Sequence, residues 1–283
     1  MVPEINPRLS HTTMKRIFAV VLLILILPAI TLADLEVHFL DVGQGDCAVV
    51  MCDGETMVID GGPKSASEMV YSYLRNSLHL RFIDYVVSTH PHVDHCGGLP
   101  AVTRNFQVDL LLTPVLEWDS NAFRDMIGFA KSQGTPVAVP ETGDTLRLGS
   151  ATVTILYCWP DEVKNNTNNS SIVLRVDYVE TSFLFTGDAE DYAEYLMLIG
   201  DVNLKADVLK VAHHGSSDSS SEKFLRAVSP EYAVISAGRG NKYGHPHRAV
   251  LERLRDVNAK VLRTDERGTV IIRDDGKNLT VVR

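Results

Sequence analysis

His90, His92, Asp94 and His95 fall within the six-residue run His90-Pro91-His92-Val93-Asp94-His95. Imidazole nitrogen and carboxylate oxygen are the donors that borderline divalent ions such as Zn²⁺ accept. The run follows directly on the apolar stretch Arg81–Ser88, which reads as a strand. A loop leaving a strand end can aim alternate side chains at one point. An isolated histidine is usually a surface residue or a satisfied core residue, whereas four ligand-type side chains in one loop make a candidate metal centre.

Four donors on one loop do not complete the shells of two ions, and two further groups end apolar runs. Asp188 closes Phe185-Thr186-Gly187-Asp188, where a flexible glycine precedes an acid suited to bridging two cations. Taken alone, Asp188 would equally serve as the N-cap of the helix that follows. His213 and His214 leave the run Val208–Ala212 and precede Gly215-Ser216. Both histidines stand as candidate ligands.

These groups need a scaffold whose strand ends meet. The opening runs Leu35–Leu40, Asp46–Met51 and Thr56–Ile59 read as antiparallel strands, the last two joined by a turn at Cys52-Asp53-Gly54-Glu55. Ser65-Ala66-Ser67-Glu68 has the form of a capping box and predicts a helix to about residue 78. Strands are expected at Val108–Leu112, Pro136–Val139, Asp144–Leu148, Thr152–Tyr157, Ile172–Val176, Ser182–Phe185, Tyr232–Ser236, Val270–Ile272 and Leu279–Val282. Helices are expected at Ala122–Ser132, Ala189–Ile199, Ser221–Ala227 and Ala249–Val257, and Asn165–Asn169 reads as a polar loop. Mixed runs of this kind predict α+β sheets covered by helices.

The chain has 283 residues, 45% hydrophobic and 22% charged, which excludes a disordered, collagen-like or disulfide-packed protein. Lys15 and Arg16 precede an apolar run, Ile17–Leu27, that continues past Pro28 and ends in Thr31-Leu32-Ala33. Residues 1–33 are therefore expected to be a secretory signal peptide, with Met14 as an alternative start and residues 34–283 as one hydrolase domain. Uncleaved, the same segment would be a membrane anchor. No comparable apolar run follows, so after cleavage the expectation is a free exported protein without stable membrane insertion. The net charge is −9; removing Glu4, Arg8, Lys15 and Arg16 with the leader leaves 24 basic and 35 acidic side chains, so binding a polyanion needs local help. Lys205, Lys210, Arg239, Lys242 and Arg248 are the candidates for a local positive cleft. Cys47, Cys52, Cys96 and Cys158 contain no C-x-x-C pair; Cys47, Cys96 and Cys158 read as packing residues.

Thr89-His90-Pro91-His92-Val93-Asp94-His95-Cys96-Gly97-Gly98-Leu99 resembles the H-x-H-x-D-H signature of the metallo-β-lactamase superfamily, and Phe185–Asp188 resembles its bridging-aspartate motif. Phe39-Leu40-Asp41-Val42-Gly43-Gln44-Gly45-Asp46, Val58-Ile59-Asp60-Gly61-Gly62, Leu209–Ser216 and Tyr243-Gly244-His245-Pro246-His247 look like the hydrolase domains of ComEC-type competence proteins. The resemblance implies a four-layer αββα sandwich with two divalent ions, Zn²⁺ or Mn²⁺, at one sheet edge. It assigns His90 and His92 to the first ion, Asp94, His95 and one of His213/His214 to the second, and Asp188 to both. Asp60 would support the ligand loop, and Gln44, Asp46, His245 and His247 would line the mouth, with Ser216 in the same outer shell. Many superfamily members carry a third histidine where this chain has Asn165–Ser171, so Asn168 or Asn169 would offer a carbonyl oxygen instead, a weaker donor for zinc.

Two ions bridged in this way would bring a water to hydroxide near neutral pH, to attack phosphorus or a carbonyl carbon. Asp94 would be essential to the catalysis, and His245 or His247 would protonate the leaving group or stabilise charge. The leading expectation is a phosphodiesterase acting on DNA or a nucleotide-type diester. Its competitors are a hydrolase of small esters, lactones or β-lactams on the same site, and a non-catalytic metal-containing module that binds nucleic acid or cell-wall polymer.

Overall fold

Residues 34–200 and 202–282 are described in a computed structural model. The leader assigned to residues 1–33 lies outside them. Among the described residues no helix is long and apolar enough to cross a membrane.

In chain order the strands are β1 (Leu35–Phe39), β2 (Ala48–Cys52), β3 (Glu55–Ile59), β4 (Phe82–Val87), β5 (Gln107–Leu112), β6 (Val137–Ala138), β7 (Thr145–Leu148), β8 (Ala151–Tyr157), β9 (Val173–Tyr178), β10 (Thr181–Phe185), β11 (Val208–Lys210), β12 (Tyr232–Ile235), β13 (Lys260–Arg263), β14 (Val270–Asp274) and β15 (Leu279–Val282). The helices are α1 (Ser67–Ser72), α2 (Val93–Cys96), α3 (Leu99–Asn105), α4 (Asn121–Ser132), α5 (Asp191–Ile199), α6 (Glu222–Val228), α7 (Arg248–Asp256) and α8 (Thr264–Arg267). One sheet runs β15-β14-β1-β2-β3-β4-β5-β6 and the other β13-β12-β11-β10-β9-β8-β7.

The strands read as nearly continuous apolar runs because both faces of each sheet are covered. In β2, Ala48, Val50 and Cys52 enter the core between the sheets, while Val49, with Cys47 just before the strand, packs under α1, α3 and α4. In β10, Phe183 and Phe185 face the inter-sheet core and Leu184 faces the layer beneath α5, α6 and α7. Phe39 stacks on Phe185 across the sheets with ring centroids 5.9 Å apart. Three cores thus separate four layers, the αββα sandwich expected for this α+β chain.

Two blocks of parallel strands carry the candidate residues. β3, β4 and β5 pair in parallel, as do β10, β11 and β12, so within each block the C-terminal ends lie on one sheet edge. Asp60 follows β3, the histidine loop follows β4, Asp188 follows β10 and His213-His214 follow β11.

Local differences from the sequence reading have local causes. Ser65 caps nothing: Pro63 leads into a 3₁₀ turn over Lys64–Ala66, and α1 begins only at Ser67 with no side-chain cap. The helix after Asp188 starts at Asp191 with Glu190 at its N-cap, so Asp188 is free of that duty. Cys47 and Cys96 are buried as expected, whereas Cys158 is only half-buried.

Candidate metal centre

Backbone contacts lock the loops together before any ligand chemistry is considered. Thr89 donates from its backbone N–H to Asp60 Oδ1 at 2.8 Å and from its hydroxyl to Asp60 Oδ2 at 2.7 Å, fixing the start of the histidine loop. Gly61 N–H donates to His95 C=O at 2.7 Å and Asp46 N–H to Asp94 C=O at 3.1 Å. Position 45 must be glycine for that last contact: a Cβ there would sit 2.3 Å from the Asp94 carbonyl oxygen. Asp60, His213 and His214 are non-glycine residues in the left-handed region, at φ 58°, 49° and 55°. Such conformations cost of order 1–3 kcal/mol each (roughly) and gather where function holds them. At His213-His214 the two successive left-handed residues turn both rings toward the same carboxylate.

That carboxylate is Asp188. Its Oδ2 lies 3.8 Å from Nε2 of each of His90, His213 and His214, and its Oδ1 lies 3.1 Å from His95 Nε2. His90 Nε2 faces His92 Nδ1 at 3.1 Å, and His214 Nε2 faces Asp94 Oδ2 at 3.5 Å. Donors about 2.0–2.1 Å from a tetrahedral ion lie roughly 3.4 Å from one another, so these separations are those of ligands around an ion. The outer nitrogens are held. His95 Nδ1 bonds Asp60 Oδ2 at 2.8 Å, and His214 Nδ1 donates to the Ser236 carbonyl at 3.0 Å, which directs each Nε2 inward.

The buried atoms left without a hydrogen-bond partner test whether the site suits a cation. Among the described residues they include His95 Nε2, His214 Nε2, Asp188 Oδ1, Asp46 Oδ1 and Asn168 Oδ1. Leaving such groups unpaired is costly, and a divalent ion is the partner that several converging lone pairs can share. Asp46, His95, Asp188 and His214 offer donor atoms all within 4.8 Å of one another, and all four residues are buried. The residues fit a metal.

The charges around the site are strongly coupled. Burial raises the Asp188 carboxyl, but His95 and His214 outweigh it and hold the group well below the usual carboxylate range. Burial lowers His95 and His214, but Asp188, with Asp60 for His95 and Asp46 for His214, raises both, His214 to about 9. His90 is pushed well below its ordinary value by burial and then by His95. Asp60 is raised, chiefly by burial.

The remaining candidates separate by position. Gln44, His92, Asp94, Asn168, Asp188, His213, His214 and His245 line one cavity of about 350 Å³, with Trp118 and Tyr243 in its walls. Asp46, expected at the mouth, lies inside the cluster, 5% exposed, because Lys210 reaches it from beneath at 2.5 Å. Asn169 turns away: its Oδ1 accepts from Glu190 N–H at 3.0 Å, whereas Asn168 lines the cavity. His247 uses both ring nitrogens on the backbone, Nδ1 accepting from Ser217 N–H at 3.0 Å and Nε2 facing the Tyr243 carbonyl at 3.2 Å. Ser216 closes the histidine turn, its N–H donating to His213 C=O at 2.8 Å. Three of the five basic residues do not join a common cleft: Lys210 is buried, Lys205 precedes the opposite end of β11, and Arg248 pairs with Glu252, while Lys242 lies over the ring of Tyr243 in the cavity wall and Arg239 donates to the Asp265 carbonyl.

Sequence reasoning missed Glu190, Asp218 and Trp118. Glu190 and Asp218 flank His213 Nδ1 at 3.4 and 3.3 Å. Glu190 stands two residues past Asp188, where an acid reads as an ordinary helix-start residue, and nothing local marks Trp118.

Residues 40–239 match the family model described as the metallo-β-lactamase superfamily. The chain is 31% identical over 269 residues to ComE operon protein 3 of Bacillus subtilis, covering 89% of this chain and 34% of that protein. It is 33% identical over 239 residues to competence protein ComA of Neisseria gonorrhoeae, covering 81% of this chain and 31% of that one. The chain thus spans about a third of the length of these curated relatives. Among solved structures, the metallo-β-lactamase fold protein YhfI of Bacillus subtilis superposes with a TM-score of 0.55 at 10% identity, covering 85% of this chain and all of that one. The family match spans both parallel-strand blocks and the histidine and aspartate loops that meet between them, and the chain belongs to the metallo-β-lactamase superfamily.

Proposed function

We propose that this protein is an exported, metal-dependent phosphodiesterase with DNA or a nucleotide-type diester as substrate, using two divalent ions, Zn²⁺ or Mn²⁺. The observation that carries the reading is the Asp188 carboxylate, ringed by four imidazoles and open to a cavity on one side. His90, His92, Asp94, His95, Asp188, His213 and His214 would hold the ions, with Asn168 on the open side. Divalent ions held there supply a Lewis acid and lower the pKa of water enough for attack near neutral pH.

The chain's own residues do the rest. Ser236 and Asp60 fix the imidazole tautomers through their bonds to His214 and His95. His245, at the cavity wall, is lowered to about 4 by burial and then by His214 and His213, so it stays neutral at pH 7. A neutral imidazole with an unpartnered Nδ1 orients a substrate or water group better than it protonates a leaving group. His247, bonded twice to the backbone, holds the Tyr243–His247 loop in place. For nucleotide recognition the walls offer Trp118 and Tyr243, and Lys242 lies over the Tyr243 ring at 5.0 Å. Similarity to a protein named for competence supports the DNA reading, and the basic, apolar and small-residue order of residues 15–33 supports export.

Purified protein incubated with linear DNA and Mn²⁺ or Zn²⁺, beside an Asp94→Ala variant, tests the proposal. Metal-dependent cleavage lost in the variant is the expected result. Intact DNA with metal-loaded protein overturns the nuclease reading and turns attention to small diesters, lactones and β-lactams. Ligand binding without turnover on any of them supports the non-catalytic module.

A further inference from the structure

We infer that Glu190 is a positioning residue that sets the donor atoms on the open side of the metal centre, acting through Asn168 and His213 together. The inference rests on the metal-dependent reading above. Glu190 Oε1 accepts from Asn168 Nδ2 at 2.6 Å and lies 3.4 Å from His213 Nδ1. Its Oε2 accepts from Asn166 Nδ2 at 2.6 Å, and its backbone N–H donates to Asn169 Oδ1 at 3.0 Å. One carboxylate is therefore hydrogen-bonded to the polar loop before β9 and faces the histidine turn after β11.

This placement has a chemical consequence at each end. An amide group can face a site with either its oxygen or its nitrogen, and the two differ completely toward a cation. Because a carboxylate only accepts, Glu190 takes the Asn168 NH₂ group, and Asn168 Oδ1 is left buried without a partner at the cavity. At His213 no hydrogen bond to Nδ1 is formed, but two carboxylate oxygens face it, Glu190 Oε1 at 3.4 Å and Asp218 Oδ1 at 3.3 Å, and their charge favours the proton on that nitrogen. Nε2 then presents its lone pair toward Asp188 Oδ2 at 3.8 Å. The side of the cluster that lacks a histidine on the Asn165–Ser171 loop is thus furnished with an amide oxygen and an imidazole nitrogen, both oriented by one carboxylate.

Glu190→Gln is the test, because glutamine keeps the shape but must oppose an NH₂ group to Asn166 or Asn168. Metal binding is read on the full chain by titration with Co²⁺, whose visible spectrum reports donor number, and with Mn²⁺ by magnetic resonance. The expected result is a loss of about 10–100-fold in affinity for one ion, as for other outer-shell partners, with a changed Co²⁺ spectrum and the second ion retained. Asn168→Ala should cost much less in the Glu190→Gln background than in the wild type, since both act on one donor. Asp218→Asn, which leaves the Asn168 contact intact, should have the smaller effect. Unchanged Co²⁺ spectra and additive Asn168 and Glu190 effects in a folded Glu190→Gln protein overturn the inference. A wild-type chain that takes up no divalent ion overturns the metal-dependent reading as well, so the two failures are told apart.

Discussion

Lys210 Nζ lies 2.5 Å from Asp46 Oδ2, with the lysine 4% and the aspartate 5% exposed. The ammonium also donates to the Val211 carbonyl at 2.8 Å, so the pair is anchored beneath the ligand cluster. Burial by itself raises the Asp46 carboxyl; Lys210, then His214, outweigh it and hold the group at about 2. Asp46 Oδ1 in turn stands 3.2 Å from His214 Nδ1, which links this cation to the orientation of a ligand.

Replacing Lys210 by methionine should therefore cost more than its own contacts. Removing one partner of a buried pair typically costs about 3–5 kcal/mol, because the other charge is left uncompensated. The sign with pH follows from the depressed Asp46 value. The stabilisation is present above the unfolded carboxyl pKa and is lost as pH falls through about 2 in the wild type. In Lys210→Met the folded carboxyl pKa rises toward the unfolded value, so the variant starts less stable and loses less on acidification, and its stability changes less between pH 7 and 2. Thermal unfolding between pH 2 and 7 measures this, and Lys210→Met combined with Asp46→Asn should regain part of the loss. Equal unfolding curves for wild type and Lys210→Met would remove the pair from the account.

Metal uptake should release protons. In the ion-free protein burial lowers His214, but Asp188 and Asp46 raise it to about 9, and His95 lies well above its ordinary value. At pH 7 the His214 ring carries a second proton that a ligand cannot keep. Apparent affinity should climb with pH, about tenfold per unit from His214 alone, until that ring is neutral. Calorimetric titration in buffers of different ionisation enthalpy counts the protons. At least one per protein is expected at pH 7, and none would contradict the protonated ground state.

The histidine loop was legible because its donors are local and its strand ends abruptly; Asp188 and His213-His214 were legible as polar residues closing apolar runs. What brings them together is not local. Asp46 and Lys210 meet only because β1 leads into the Gly43–Asp46 turn in one sheet while β11 ends beneath it in the other, so the lysine read as part of a basic patch and the aspartate as a mouth residue. Glu190 read as nothing, since its meaning lies in contacts 22 to 24 residues back along the chain. His247 shows the converse case: a histidine in a promising motif whose two nitrogens both meet backbone groups, a pairing that no local pattern announces.

Asp60→Asn should weaken metal binding without touching a ligand. Asp60 accepts from Thr89 twice and bonds His95 Nδ1, all at 2.7–2.8 Å. An amide retains a single acceptor oxygen, so at least one of these contacts faces an NH₂ group. Affinity for the ion bound through His95 should fall about 10–100-fold, read by metal titration of the folded variant. Wild-type affinity in that variant would mean that His95 is held by its packing alone.

His245 and His247 should behave differently despite their spacing. His247→Ala removes two ring-to-backbone bonds and should lower stability by about 1–3 kcal/mol while leaving the pH profile of turnover unchanged. His245→Ala removes a cavity-lining ring with a free Nδ1 and should lower turnover with little change in stability. Melting curves and pH–rate profiles of both variants separate the roles, and a shifted profile in His247→Ala would return that residue to the chemistry.

Trp118 tests whether the substrate is a polymer of nucleotides. Its ring lines the metal-centre cavity and also an adjoining groove of about 660 Å³ bounded by Leu116, Phe123 and Ile127, with Arg124 and Lys131 at its edge. A diester whose scissile phosphate sits at Asp188 would extend a neighbouring base over this wall. Stacking of one base on an aromatic side chain is worth about 1–3 kcal/mol, so Trp118→Ala should raise KM for an oligonucleotide by roughly 5–150-fold, and Trp118→Phe by much less. A small diester without bases makes no such contact, and its KM should not move. Loss of activity on both substrates alike would mark Trp118 as a structural wall, and loss on neither would place the polymer elsewhere on the surface.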